Sequence, residues 1–177
     1  TELQRADAIH LASTSGGDGT PILLDIEADG FRDRAKNPCV DLFGLTVEEQ
    51  PDTILPNITG ANVFLDNGTV IIYFSEYIDM TPRSYVNLSK IIFRNVSEED
   101  AVAVPFTGAK IVYDDFTHME ILLTEEQRIK AVEISSQPGG DATNLLLDVQ
   151  AGAVRDRAQN FNVDQFGIVV FEYPDVI

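Results

Sequence analysis

The chain repeats itself, and no other feature constrains its fold as much. Residues 1–54 align without a gap on residues 124–177, an offset of 123 positions (124 − 1), and about half of the aligned residues are identical. Thr1-Glu2 matches Thr124-Glu125, and Gln4-Arg5 matches Gln127-Arg128. Gly16-Gly17-Asp18 matches Gly139-Gly140-Asp141, and Leu23-Leu24-Asp25 matches Leu146-Leu147-Asp148. Arg32-Asp33-Arg34-Ala35 matches Arg155-Asp156-Arg157-Ala158, and Val40-Asp41 matches Val163-Asp164.

With that period, residues 1–54 read as the C-terminal half of one repeat and residues 55–177 as a complete one. A half-repeat holds too few strands to bury a core alone. The sequence therefore predicts that upstream chain or a neighbouring copy completes it, and that copies self-associate head to tail into a fibre. Pro51-Asp52-Thr53-Ile54-Leu55-Pro56 carries two prolines in six residues and predicts a short, stiff linker.

Within the repeat, short β-rich runs alternate with turn signals. Strands are expected at Thr59–Asp66, Val70–Phe74, Lys90–Arg94, Val102–Phe106, Lys110–Tyr113, Glu120–Leu123, Leu145–Val149 and Phe166–Tyr173. Asn67-Gly68 between the first two is a hairpin signal. Turns are expected at Asn95–Asp100, Thr107-Gly108, Asp114-Asp115 and Arg155–Asn160. Thr124-Glu-Glu-Gln127 is a capping box, repeated at Thr1–Gln4. It predicts a short helix to about Ser135 with Ile129, Ala131 and Val132 facing inward. Strands spaced this closely point to a two-sheet Greek-key sandwich.

The segment Gly68–Asp79, with Val70-Ile-Ile-Tyr-Phe-Ser-Glu-Tyr-Ile-Asp79, resembles the "VxFSExID" strand of Ig-like repeats in S-layer proteins and large adhesins. Val154-Arg-Asp-Arg-Ala-Gln-Asn160 is similar to their "V-x-D-x-A-G-N" segment, with Gln159 (and Lys36 in the other copy) where glycine is usual. Similar repeats build giant surface and filament proteins, including mastigoneme-like fibres. The fold that the resemblance implies is all-β: Ig-like Greek-key β-sandwich repeats with one short helix per repeat. The function it implies is structural, as a subunit of an extracellular filament or surface coat.

Four sequons, at Asn57, Asn67, Asn87 and Asn95, exceed the one or so that composition predicts and suggest N-linked glycans on a secreted protein. Asp25, Asp33, Asn37 and Asp41, with Asp148, Asp156, Asn160 and Asp164, offer the oxygen ligands calcium prefers. Such residues also cap their own turns. Arginines on both sides of Asp33 and Asp156 favour an ion pair there. A calcium-dependent adhesion or glycan-binding module is thus the alternative to a filament subunit. Cys39, the single cysteine, could bridge chains but has Asn162 as its counterpart.

Catalytic groups are sparse. His10 and His118 are the two histidines and occupy non-equivalent positions, without a nucleophile pattern beside them. Glu76 and Asp79 read as rim charges at a strand end. The net charge of −17 opposes nucleic-acid binding. No apolar run reaches the ~18 residues of a membrane span. The expectation is a non-enzymatic protein.

Overall fold

The computed structural model describes residues 1–177 except 96–101, 116 and 177. The chain divides into two compact units, Thr1–Thr53 and Ile54–Ile177. The expected turn at Asn95–Asp100 lies, beyond its first residue, outside the described residues.

The first unit contains helix α1 (Glu2–Leu11) and strands β1 (Leu23–Ile26) and β2 (Leu42–Thr46), paired antiparallel as a two-stranded sheet. The second contains β3 (Ile58–Phe64), β4 (Thr69–Phe74), β5 (Ile91–Arg94), β6 (Val104–Pro105), β7 (Lys110–Asp114), β8 (His118–Leu122), α2 (Glu125–Glu133), β9 (Leu146–Val149) and β10 (Gln165–Tyr173). The described residues are thus mostly β, with two α-helices and two short 3-10 helices at Arg83–Tyr85 and Leu88–Lys90, an all-β protein.

The eight strands of the second unit follow the order β6-β5-β9-β10-β3-β4-β8-β7 in one curled sheet. The long strand β10 organises it. Its first residues pair antiparallel with β9, and its last four, Val170–Tyr173, pair parallel with Ala61–Phe64 of β3. Alternation along β3 and β4 sends Val63, Val70 and Ile72 inward, where they meet Phe93, Ile121 and Leu147 in one core. The hairpin between β3 and β4 turns where Asn67-Gly68 predicts it: Gly68 adopts φ 75°, and Asn67 Oδ1 accepts from the Thr69 amide at 2.9 Å.

Both helices start on the expected capping box, with Thr1 and Thr124 accepting from the amides of Gln4 and Gln127. The inward face of α2 differs from the expectation. Gln127, Ala131 and Ile134 are buried at i, i+4 and i+7, whereas Ile129 is 47% exposed. Val132 is half-buried against the core. Gln127 is inside because its amide satisfies three backbone groups. Its oxygen accepts from the Thr124 amide, and its nitrogen donates to the carbonyls of Pro105 (2.7 Å) and Thr107 (2.9 Å).

The two units share one hydrogen-bond framework, position by position at the offset of 123. Glu49 accepts from Ser13 N and Oγ and from Ile22 N; Glu172 accepts from Ser136 N and Oγ and from Leu145 N. Asp18 caps Thr20 as Asp141 caps Thr143, and Asp25 holds the Gly44 amide as Asp148 holds that of Gly167. Left-handed residues correspond too. Lys36 (φ 70°) matches Gln159 (φ 73°), so the position where glycine is usual has the same strained turn in both copies.

Candidate functional site: a buried acidic junction

The two motifs that carry the family resemblance lie far apart in sequence and meet in the second unit. After β4 the chain runs through Ser75–Met80 against the turn at Val154–Asn160. Ile78 forms a β-bridge with Asp156, and the Asp79 amide donates to the Arg155 carbonyl at 2.9 Å. The Arg155 guanidinium donates to Asp79 Oδ2 at 2.8 Å and stacks 3.6 Å over the Tyr85 ring.

Glu76 (3% exposed) and Asp156 (1%) are buried beside this pair. Glu76 and Asp79 are therefore not rim charges at a strand end. Their burial depends on the turn at 154–160, some 80 residues later, which no local pattern announces. Asp156 Oδ1 and Oδ2 accept from the backbone and side-chain amides of Asn160, both at 2.8 Å. Carboxylate oxygens of Glu76 and Asp156 approach within 4.8 Å of each other. Two carboxylates buried this close are stable together only when a proton, a cationic side chain or a metal compensates them.

The residues considered for calcium are not brought into one cluster. Asp148 lies on β9, with Oδ1 on the Gly167 amide and Oδ2 2.9 Å from Arg94, whereas Asp156 and Asn160 form the separate turn. In the first unit Asp25 holds the Gly44 amide, and Asp33 is bonded to Asn37 as Asp156 is to Asn160. Asp41 and Asp164 accept from the amides of Ala28 and Ala151. Turn capping explains these contacts. It also leaves Asp18, Asp33, Asp141 and Glu49 with pKa values below the ordinary carboxylate range, chiefly through bonds donated by the side chains of Thr20, Asn37, Thr143 and Ser13.

Around Asp33 the arginine expectation changes. Arg155 pairs with Asp79 and Arg32 with Asp29, while Asn160 and Asn37 hold the neighbouring aspartates. Sequence spacing cannot rank an asparagine four residues on above an adjacent arginine as the partner of Asp33.

Asn57, Asn67 and Asn87 are exposed. Asn87 Oδ1 accepts from the amide and hydroxyl of Ser89, the third residue of its own sequon. Asn95 is half-buried, with its amide nitrogen engaged by Asp141 at 2.5 Å; the rest of its sequon lies outside the described residues. Cys39 is a free thiol, half-buried, 3.5 Å from the Glu27 carbonyl. His118 Nδ1 lies 2.7 Å from Asp115 and its ring packs near Tyr73 and Tyr113, while His10 sits in the last turn of α1. No helix among the described residues is long and apolar enough to cross a membrane. Comparison with family models, with curated proteins and with solved structures finds no match to this chain.

Proposed function

We propose that this chain is a structural link of an extracellular glycoprotein filament or surface coat built from tandem Ig-like repeats, with no catalytic role. The observation that carries the reading is the duplicated framework. Two stretches 123 residues apart make the same caps, the same glutamate clamp and the same turns. Such repetition serves stacking of like units, since a catalytic centre needs to be built once. The path of β10 supports an Ig-like sandwich in particular: it leaves β9 after Val169 to pair with β3 from Val170, the way a strand passes from one sheet of a sandwich to the other.

The exposed sequons at Asn57, Asn67 and Asn87 support secretion and N-linked glycosylation. Negative-stain electron microscopy of the protein secreted from eukaryotic cells tests the reading. Regular fibres are expected, together with a mass that falls on endoglycosidase treatment. Dispersed monomers of unchanged mass would contradict it.

One observation favours a calcium-dependent adhesion module as the second reading: the buried proximity of Glu76 and Asp156, with Asn160 alongside. On that reading millimolar calcium raises the melting temperature over chelator, and Glu76→Gln abolishes the rise. An unchanged melt would dismiss it.

A further inference from the structure

The first unit exposes the face that the second unit buries. Leu11, Leu24, Phe31 and Val47 are between 36% and 59% exposed, whereas their counterparts Ile134, Leu147, Val154 and Val170 are at most 4% exposed. The same backbone framework surrounds both sets, so the difference is one of cover. In the second unit that cover is supplied by the residues of β3 to β8.

The open strand edges agree with the open face. In the second unit β9 carries β5 on its outer edge, and β10 carries β3 on its own. The corresponding β1 and β2 form a sheet of two strands alone among the described residues, leaving both outer edges unpaired. Unpaired edges beside an uncovered apolar face are a template for added strands. Polar groups point to the same missing element. Gln4 is exposed, while its counterpart Gln127 is buried on the carbonyls of Pro105 and Thr107. Arg32 falls back on its neighbour Asp29, while Arg155 reaches across to Asp79.

We infer that the first unit is a socket for the first half of a further repeat, a segment with the pattern of residues 55–123, seated in the register by which those residues cover residues 124–176. A second copy of these residues gains nothing as the occupant, because a first half that leaves residues 124–176 uncovers one framework to cover another. The junction geometry favours a covalent source. Thr1 caps α1 as Thr124 caps α2, so a segment ending like Leu123 can lead into Thr1 without rearrangement. Linkage also makes docking intramolecular. The inference deepens the tandem-repeat reading and rests on it; fibre formation and secretion are decided separately by microscopy.

The test extends the full chain with a second copy of residues 55–123 placed directly before Thr1, in a Cys39→Ser background. Cysteines replace Ile26 and the Ile91 of the added copy, reproducing the antiparallel Val149–Ile91 pairing. Oxidation is expected to join them, while moving the second cysteine to the added copy's Ile92, on the opposite strand face, prevents it. In the extended chain that keeps Ile26, amide exchange at Leu24 and Ile26 is expected to slow at least about 100-fold relative to the unextended chain. Phe93→Asp in the added copy removes both effects. Equal cross-linking in the shifted register, or exchange unchanged by the extension, would overturn the inference. So would an extended chain that aggregates where the unextended one is soluble, because a filled socket exposes less apolar surface.

Discussion

Leu24 and Leu147 are the same residue at the same place in the repeat, but β9 is paired on both edges and β1 on one, and the two should differ in their response to truncation. Leu147 is 0% exposed and packs in the core of the second unit; Leu24 is 48% exposed. Leu147→Ala removes a fully buried side chain and leaves a cavity, a loss of about 3 kcal/mol. For a unit of this size that lowers the melting temperature by about 10 °C. Leu24→Ala loses roughly half the transfer energy and leaves no closed cavity, so it costs under about 1 kcal/mol. The chain has no tryptophan, and its five tyrosines, Tyr73, Tyr77, Tyr85, Tyr113 and Tyr173, all belong to the second unit. Tyrosine fluorescence during heating therefore reads that unit alone. Leu147→Ala should shift the tyrosine transition and Leu24→Ala should leave it in place. A shift below about 3 °C for the first, or an equal shift for the second, would refute the assignment of one closed and one open copy.

Two further outcomes follow from the junction and the caps. Arg155→Met should destabilise the second unit by about 3 kcal/mol, because it leaves the buried Asp79 carboxylate without its partner. Arg32→Met breaks a pair that is more than half exposed on both sides and should cost less than about 1 kcal/mol by chemical denaturation. The depressed carboxyls at Asp18, Asp33 and Glu49 make their caps fully effective above the ordinary carboxylate pKa of about 4. Because the folded values lie lower, that contribution is lost as pH falls through them. Circular dichroism of the first unit's helix should hold constant from pH 8 to 5 and decline below about pH 4. Thr20→Ala should bring the Asp18 carboxyl back toward its usual range in an NMR titration.

What could be read from the sequence was local or duplicated. Each capping box is complete within four residues, and Asn67-Gly68 sets its own turn, so both appear where expected. The offset of 123 places the strands and turns of one copy on those of the other. What could not be read depends on partners far along the chain. Glu76 and Asp79 look like surface acids until the Arg155–Asn160 turn covers them. Gln127 looks like a cap and is also a buried bridge to β6, while Ile129 loses the inward position to it. The Glu49 and Glu172 clamps join residues 27 and 36 positions apart. Conservation of Ser13/Ser136 and Glu49/Glu172 between the copies was the available trace of them. The parallel pairing of β10 with β3 spans over a hundred residues and leaves no mark in either strand.

The central claim is that one framework occurs twice, closed in the second unit and open in the first. Residue-resolved native-state hydrogen exchange on the unaltered chain tests it most directly, comparing Leu24 with Leu147, Ile26 with Val149 and Val47 with Val170. The account predicts that the second member of every pair exchanges at least about 100-fold more slowly, since only there are the outer strand edges paired and the face covered. Equal protection within the pairs would contradict it.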